Sequence, residues 1–294
     1  MCGIVGLFLK DSSLEPSLGG MLSDMLVTMT DRGPDSAGIA VYGAEAGNPF
    51  KVSVQSTNPD EDFDALSAAL GGGVACERKD THAIYTFAAD RTAEVRALIA
   101  DSFPTMTIMS RGESIEIFKE VGLPDSVVAR FGVRDMAGTH GIGHTRMATE
   151  SAVTTNGAHP FSTGSDQCLV HNGSLSNHNN LRRRLIHQGM SFETENDSEV
   201  AAAYLTWKMQ EGANLGQAME AGLDDLDGFY TFVVGTKNGF GVVRDPIACK
   251  PAVLAETDQY VAFGSEYRAL VNLPGIENAK TWEPEPATVY FWER

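Results

Sequence analysis

The chain has 294 residues, of which 43% are hydrophobic and 21% charged, and these are ordinary values for a globular protein. Its 39 acidic and 22 basic residues give a net charge of −17, which argues against nucleic acid and membrane surfaces as partners, because binding phosphates requires clustered Lys and Arg. No apolar run reaches the roughly 20 residues that span a bilayer, and the N-terminus lacks the pattern of a secretory signal. The four cysteines form no CxxC pair, which argues against a zinc or disulfide framework and fits a reducing cytoplasm.

The hydrophobic patterns at both ends of the chain predict short strands with helices between them. Strands are predicted over 3–9 and 38–42, and a helix over 17–30, where apolar residues recur on one face. Further strands are predicted over 140–149, 166–173, 229–235, 240–244, 251–256 and 260–264, and further helices over 177–188 and 197–211, the last capped by Asn196 or Asp197. The Asn-Gly pair at 238–239 predicts a hairpin turn. Together these elements predict an α+β fold rich in antiparallel strands.

The middle of the chain has a different pattern. We predict a strand over 81–88, a helix over 90–101, a strand over 105–109, and short helices over 113–121 and about 125–131. This β-α-β block, about residues 75–135, is predicted to be a subdomain inserted into the main fold. None of its motifs suggests chemistry, and we expect it to provide a docking surface.

Cys2 is the first candidate catalytic residue. Methionine aminopeptidases remove Met1 when the second residue is small, so we expect the mature chain to begin with cysteine. A thiol and a free α-amine on one residue form a nucleophile with its own general base. The alternative is that Cys2 merely begins a buried strand, since residues 3–9 are apolar and free cysteine is often buried.

Four further segments combine polar side chains with turn-forming residues, and each has a purely structural interpretation. These are a turn after a helix for Asp-Arg-Gly-Pro-Asp-Ser (31–36), a strand edge for Gly-His-Thr-Arg-Met-Ala-Thr (143–149), a tight turn for His-Asn-Gly (171–173), and a helix cap for Asn-Asp-Ser-Glu (196–199). Taken one at a time, none of the segments decides between structure and function.

The same segments also contain groups suited to an amide substrate that has an amino-acid end. Arg146 could clamp a carboxylate with its two-pronged guanidinium. The side-chain amide of Asn172 and the backbone N–H of Gly173 could form an oxyanion hole. A carboxylate within 196–199 could hold an ammonium group.

In this order, the segments resemble the class II glutamine amidotransferase domain of the N-terminal nucleophile hydrolases. The matching pattern comprises residues 2–6 (Cys-Gly-Ile-Val-Gly), 32–36 (Arg-Gly-Pro-Asp-Ser), 143–146 (Gly-His-Thr-Arg), 171–173 (His-Asn-Gly), 197–199 (Asp-Ser-Glu), 226–230 (Leu-Asp-Gly-Phe-Tyr), 244–246 (Arg-Asp-Pro), 250–251 (Lys-Pro) and 263–266 (Phe-Gly-Ser-Glu). It therefore covers nearly the whole chain, so we expect residues 1–294 to form one such domain. Because many ordered segments agree, the catalytic interpretation of Cys2 now outweighs the structural one.

The resemblance implies a four-layer αββα sandwich with two stacked antiparallel sheets, and it assigns roles to individual residues. Cys2 would attack the side-chain amide of glutamine, with its own α-amine as the base. Asn172 and Gly173 would hold the oxyanion, while Arg146 would bind the α-carboxylate and Asp197 the α-ammonium group. The expected substrate-binding set also includes Thr149, from the motif of Arg146, and Arg32, whose loop would position the cysteine.

Two departures from the family pattern stand out. Many members carry Trp or Tyr after the Arg of Gly-His-Thr-Arg, where this chain has Met147. The stretch between Tyr42 and His140 is also far longer than in compact members. The seven histidines show no metal-binding spacing, and no P-loop or GxGxxG occurs, so we expect neither a metal nor a cofactor in this chain.

Members of this family usually pass ammonia to a synthase, and no synthase segment follows in this sequence. We therefore expect a hetero-oligomer in which a separate synthase subunit accepts the ammonia. The chain most resembles stand-alone amidotransferase subunits of glutamate-synthase-like complexes, such as the small subunit of N-methylglutamate synthase. Two alternatives are a hydrolase of the same fold that acts on another amide and a non-catalytic regulatory or assembly subunit.

Overall fold

The computed structural model describes residues 2–43, 49–148 and 152–294. Its strands are β1 (Gly3–Leu9), β2 (Ser36–Tyr42), β3 (Pro49–Ser56), β4 (Ala75–Lys79), β5 (His82–Ala88), β6 (Met106–Gly112), β7 (Ile115–Val121), β8 (His140–Arg146), β9 (Cys168–Leu175), β10 (Gly228–Gly235), β11 (Gly239–Arg244), β12 (Val253–Glu256), β13 (Tyr260–Gly264), β14 (Lys280–Trp282) and β15 (Val289–Glu293).

The α-helices are α1 (Leu18–Val27), α2 (Pro59–Leu70), α3 (Thr92–Ser102), α4 (Pro124–Phe131), α5 (His178–His187), α6 (Asp197–Gln210) and α7 (Leu215–Asp225). The predicted helices over 17–30, 177–188 and 197–211 are confirmed as α1, α5 and α6. No helix in the described part of the chain is long and apolar enough to cross a membrane.

The described strands form three antiparallel sheets. The largest has the order β14-β12-β13-β1-β8-β2-β7, the second β15-β11-β10-β9, and the third β4-β5-β3-β6. The predicted hairpin at Asn-Gly is confirmed between β10 and β11, where Thr236 N donates to Gly239 O at 2.8 Å.

Three apolar clusters show how the first two sheets are layered. α1 and α4 pack on the outer face of the seven-stranded sheet, around Leu22, Val128 and Phe131. The inner faces of the two sheets meet in a second cluster, where Ile142 of one sheet shares the core with Val170 of the other. Helices α5, α6 and α7 cover the outer face of the second sheet. The predicted α+β class and αββα layering are therefore confirmed.

The central position of β1 brings the candidate motifs to one edge of the sandwich. β1 lies between β13 and β8, and Gly3 is opposite Thr145. Because the strands are antiparallel, the start of β1 lies beside the end of β8, so Cys2 and Arg146 leave the sheet on the same side. β9 of the facing sheet contains the His-Asn-Gly segment.

The middle of the chain differs from the prediction in two ways. The third sheet and its helices α2 and α3 lie within residues 49–112, whereas the inserted block was predicted at about 75–135. The helix predicted over 113–121 is wrong, because this segment is strand β7, which pairs along its whole length with β2 of the main sheet. Ile115 and Ile117 pack in the core between the two sheets, whereas Phe118 packs under the outer helices, so successive side chains leave the strand on opposite faces.

Candidate active site

Cys2 lies partly exposed at the floor of a cleft, held there through its backbone. Its carbonyl oxygen accepts hydrogen bonds from Arg32 Nε at 2.9 Å and from Asn172 Nδ2 at 3.2 Å. Arg32 is itself buried, and its Nη1 lies 2.6 Å from Glu266 Oε1. The residues that line the cleft do not include Arg32. Its position behind the nucleophile therefore suits a role in positioning Cys2 and not direct contact with a substrate.

The two candidate oxyanion donors follow one another on β9. Asn172 and Gly173 both line the cleft with Cys2. Gly173 has φ +151°, and a Cβ atom there would lie 1.9 Å from the carbonyl oxygen of Phe229 on the neighbouring strand β10. Only glycine allows this close approach of the two strands, so the sequence of the motif is required by its local geometry.

The predicted carboxylate clamp, Arg146, is the last residue of β8 and also lines the cleft. Its Nη1 lies 3.4 Å from the carbonyl oxygen of Ala152. Asp35, from the Arg-Gly-Pro-Asp-Ser segment, fixes the chain at this residue and just after it. Asp35 N donates to Arg146 O at 3.1 Å, and Asp35 Oδ2 accepts from Ala148 N at 2.8 Å. The segment that contains Arg-Gly-Pro-Asp-Ser thus fixes the backbone of the segment that contains Gly-His-Thr-Arg.

Asp197 is the predicted partner for an ammonium group and is the first residue of α6. Asn196 caps this helix, because its side chain accepts a hydrogen bond from Ser198 N at 2.9 Å. Burial raises the pKa of Asp197, but hydrogen bonds from His171, Leu175 N–H and Ser198 outweigh burial and lower it to about 2. The carboxylate is therefore ionised at neutral pH and can hold a cation at the cleft wall.

A hydrogen-bonded histidine cluster stands behind Asp197. His171 Nδ1 lies 2.9 Å and His159 Nε2 2.8 Å from Ser198 Oγ, which donates in turn to Asp197 Oδ1 at 3.2 Å. His144 Nε2 lies 3.1 Å from His171 O, and its ring stacks on His159. Burial lowers the pKa of His144 to about 3. Burial also lowers the pKa of His159 well below its usual value, so both rings are neutral at pH 7. His144 and His159 therefore support the contacts around Ser198 and Asp197 as neutral rings.

The cleft has a volume of about 600 Å³, which lies in the range of small-molecule sites. It brings together five of the seven predicted site residues, namely Cys2, Arg146, Asn172, Gly173 and Asp197. Arg32 lies behind Cys2, and Thr149 lies outside the described residues. Met147, the departure from the family pattern, also lines the cleft.

Several cleft residues were not predicted from the sequence. Lys250 lines the opening, with its ammonium group 5.0 Å from the ring centre of Phe229. Ser198 and His159 were missed because a serine inside a helix cap and a His-Pro pair in a loop carry no distinctive local signal. Among the described residues, no group of three His, Cys, Asp or Glu side chains is placed to hold a metal ion.

A family profile of the glutamine amidotransferase domain matches residues 144–272. The glutamine amidotransferase-like protein GlxB of Rhizobium meliloti is 70% identical over 298 aligned residues, which cover 100% of this chain and 98% of that protein.

Two solved structures share the fold. The glutamine phosphoribosylpyrophosphate amidotransferase of B. subtilis matches with a TM-score of 0.64 at 19% identity. The allosteric regulatory enzyme of purine biosynthesis matches with a TM-score of 0.66 at 20% identity. Both alignments cover 99% of this chain and 47% of the other, so this chain spans about half the length of those two proteins.

Proposed function

This chain belongs to the class II glutamine amidotransferase family, and we propose that it hydrolyses L-glutamine to glutamate and ammonia through a thioester on Cys2. We further propose that a separate synthase subunit accepts the ammonia. The observation that carries the first proposal is the arrangement within one cleft. The cavity that is lined by Cys2, Asn172 and Gly173 is also lined by Arg146 and Asp197. The first three residues match the side-chain amide of glutamine, and the last two match its charged amino-acid end.

The charged residues Arg146 and Asp197 suit the amino-acid end of glutamine, which carries the α-carboxylate and the α-ammonium group. Arg146 would bind the α-carboxylate of glutamine, and the ionised Asp197 would bind its α-ammonium group. Neither interaction touches the bond that breaks. Their contribution is to fix the side-chain amide beside the nucleophile, which removes much of the entropic barrier of a reaction between two molecules.

The first chemical step would form the thioester. The thiol of Cys2 attacks the amide carbon while its proton moves, directly or through a water, to the free α-amine of the same residue. The carbonyl electrons shift to oxygen, where Asn172 Nδ2–H and Gly173 N–H stabilise the negative charge. The C–N bond then breaks, and the departing nitrogen takes the proton back from the α-ammonium group to leave as ammonia.

The second step would regenerate the enzyme. A water attacks the thioester carbon and gives its proton to the α-amine, and the same two donors stabilise the second oxyanion. The C–S bond breaks, glutamate leaves, and the thiol of Cys2 recovers its proton. Both steps need the α-amine to be free, so removal of Met1 is part of the proposal.

The test uses purified full-length protein whose N-terminus has been sequenced. We expect ammonia release from L-glutamine and covalent labelling of Cys2 by 6-diazo-5-oxo-L-norleucine, and we expect Cys2→Ala to abolish both. Activity in protein that retains Met1 would contradict the proposed base. Activity in the Cys2→Ala variant would contradict the nucleophile. A protein that hydrolyses a different amide, or none with its partner present, would favour one of the two alternatives.

The partner proposal rests on the resemblance to stand-alone amidotransferase subunits and on exposed apolar side chains, of which Met147 lines the cleft and Phe229 contacts a residue that does. Met147, Phe229 and Ile247 are all exposed, and Ile247 is 71% exposed. Lys250, which lines the cleft, also contacts Phe229. Exposed apolar side chains next to a binding cleft offer surface that a partner subunit could cover.

Purification from the native host, followed by identification of the chains that travel with this one, tests the partner. We expect a synthase subunit with flavin or an iron–sulfur cluster, as in glutamate-synthase-like complexes, and faster glutamine hydrolysis in its presence. If this protein elutes alone and its activity does not respond to the candidate synthase, the partner proposal fails while the glutaminase proposal stands.

A further inference from the structure

One wall of the cleft is a segment without regular secondary structure, residues 152–160, which we term the cleft loop. It meets both charged ends of the proposed glutamine site. The carbonyl oxygen of Ala152 lies 3.4 Å from Arg146 Nη1, and His159 Nε2 lies 2.8 Å from Ser198 Oγ beside Asp197. A displacement of this loop would therefore disturb both substrate-binding residues.

Lys119, on the edge strand β7, anchors the cleft loop to the sheet through hydrogen bonds. Its ammonium group donates hydrogen bonds to three carbonyl oxygens of the loop, those of Asn156 at 3.2 Å, Ala158 at 2.8 Å and Pro160 at 3.3 Å. The three N–H groups of an ammonium match these three acceptors in number. The contacts fix alternate residues of the loop, so one side chain sets the path of the backbone.

The burial of Lys119 makes this arrangement unusual. The side chain is only 5% exposed, and within residues 2–43, 49–148 and 152–294 no carboxylate lies within 4.0 Å of its ammonium group. Desolvation lowers the pKa of Lys119 to about 8, so the charged form still predominates at neutral pH. A buried charge is unfavourable unless its surroundings compensate. Here three backbone carbonyls accept its hydrogen bonds, the ring of Phe161 lies 4.7 Å away, and the nearby carboxylates of Glu199 and Glu193 favour the charged form.

Two neighbouring contacts show that the cleft loop packs against β7 and the adjacent strand β2. The next residue, Glu120, accepts a hydrogen bond from Thr155 Oγ1, although its side chain leaves β7 on the opposite face. A Cβ atom at Gly38 of β2 would lie 2.0 Å from the carbonyl oxygen of His159, so the loop presses directly on the sheet. The cleft loop therefore wraps around the edge of the seven-stranded sheet.

We propose that Lys119 is a positioning residue for glutamine binding, because it fixes the loop that orients Arg146 and Asp197. The inference rests on the proposed glutamine site. It assigns Lys119 no contact with substrate and no part in the transfer of protons. Loss of its ammonium group should free the loop and weaken binding, while Cys2 and its oxyanion donors keep their places on β1 and β9.

The test compares Lys119→Met, which keeps an unbranched side chain and removes the ammonium group, with Lys119→Arg, which keeps the charge. For Lys119→Met we expect a rise of about tenfold or more in KM for L-glutamine and a change in kcat of less than about threefold, as for lost hydrogen bonds to a charged group. Lys119→Arg should recover part of the binding. Lys51→Met is the matched control. Lys51 lies on β3, outside the cleft, and its ammonium group pairs at 2.7 Å with Glu116 of β7, the strand that also carries Lys119.

Calorimetric titration of L-glutamine into Cys2→Ala protein, with and without Lys119→Met, gives a readout that needs no catalysis. The inference predicts a Kd at least about tenfold higher in the double variant. Equal affinities, or a fall in kcat with no change in KM, would overturn it while leaving the glutaminase proposal intact. If Cys2→Ala protein does not bind glutamine at all, both proposals fail together.

Should Lys119→Met not fold, Thr155→Val provides the second test. It removes the hydrogen bond to Glu120 and leaves the charge of Lys119 in place. We expect the same direction of change, a higher KM with kcat nearly constant. An unchanged KM in Thr155→Val would contradict the positioning role of the loop.

Discussion

The side-chain amide of Asn172 donates a hydrogen bond of 3.2 Å to the backbone carbonyl of Cys2. A carboxamide has two N–H donors, so this contact uses one and leaves a second for a ligand. The same contact fixes the amide relative to the residue whose thiol is the proposed nucleophile. Preorganised donors of this kind need no rearrangement when charge develops on a substrate oxygen.

The first prediction concerns this amide. Asn172→Asp keeps the size of the side chain but replaces both N–H donors with carboxylate oxygens, which would repel an oxyanion. We expect kcat for glutamine hydrolysis to fall by a factor on the order of 10²–10³, as for loss of one oxyanion donor in other enzymes. Steady-state assays of ammonia release measure it, with Asn238→Asp, in the distant β10–β11 turn, as the control. A fall of less than about threefold would remove Asn172 from the oxyanion hole.

The second prediction concerns the carboxylate of Asp197. Asp197→Asn removes the charge that would face the α-ammonium group of glutamine, and we expect KM to rise by about tenfold to 100-fold. Glutaramate is glutamine without that ammonium group, so its hydrolysis should be poor in the wild type and little changed by the substitution. Comparison of kcat/KM for the two substrates isolates the interaction. Equal losses for both would show that Asp197 acts only through its hydrogen bonds to the protein.

The sequence was sufficient to predict those candidate site residues that lie in recognisable motifs at the ends of strands or within them. Cys2, Arg146 and Asn172 stand at the start, at the end and within strands whose hydrophobic pattern is clear, and the structure brings them to one cleft. α6 was predicted together with its cap, because Asn196 precedes a long apolar run. Local signals and tertiary structure agree at these positions, which makes them readable from one sequence.

The parts that could not be predicted depend on tertiary contacts. β3 pairs with β5 and β6, which follow only after helix α2, so its partners are not visible in the local sequence. β4 is a five-residue strand whose side chains are mostly exposed, so it has little hydrophobic signal. The helix prediction for β7 was wrong because both faces of this strand carry buried apolar residues, Ile115 and Ile117 on one and Phe118 on the other, so its sequence shows no polar–apolar alternation. Lys119 gave no signal, because a lysine in a strand is ordinary until three loop carbonyls converge on it.

The third prediction concerns the contact between Arg32 and the nucleophile. Arg32 Nε donates to Cys2 O while its Nη1 is anchored by Glu266. Arg32→Lys keeps the charge, but a single ammonium group cannot make both contacts with the same geometry. We expect kcat to fall by about tenfold with KM nearly unchanged, because Cys2 is displaced and the charged clamp is not.

The rate of Cys2 alkylation by iodoacetamide in the absence of substrate gives an independent readout for Arg32→Lys. A changed rate is expected, because the position of the thiol is altered before any substrate binds. Arg268→Lys is the control, since Arg268 also pairs with Glu266 but makes no described hydrogen bond to Cys2. A KM effect equal to the kcat effect would indicate instead that Arg32 contacts the substrate.

The last prediction concerns stability in acid. Burial lowers the pKa of His140 to about 3, and its ring lies 4.0 Å from that of Tyr42 between the two sheets. The unfolded chain binds a proton at this residue near pH 6.5, whereas the folded chain does so only near pH 3. The stabilisation is therefore complete above pH 6.5 and is lost as the pH falls from 6.5 towards 3, by about 1.4 kcal/mol per pH unit.

Urea unfolding between pH 6 and pH 4.5 tests this directly. His140→Gln should reduce the slope of the unfolding free energy against pH by about 1.4 kcal/mol per unit, whatever its effect on stability at pH 7. His187→Gln is the control, because His187 is exposed on α5 and is solvated in both states. The difference between variant and wild type cancels the carboxylates that also titrate in this range. An unchanged slope in His140→Gln would mean that water reaches this ring in the folded protein, so that the layer between the two sheets is not closed at β8.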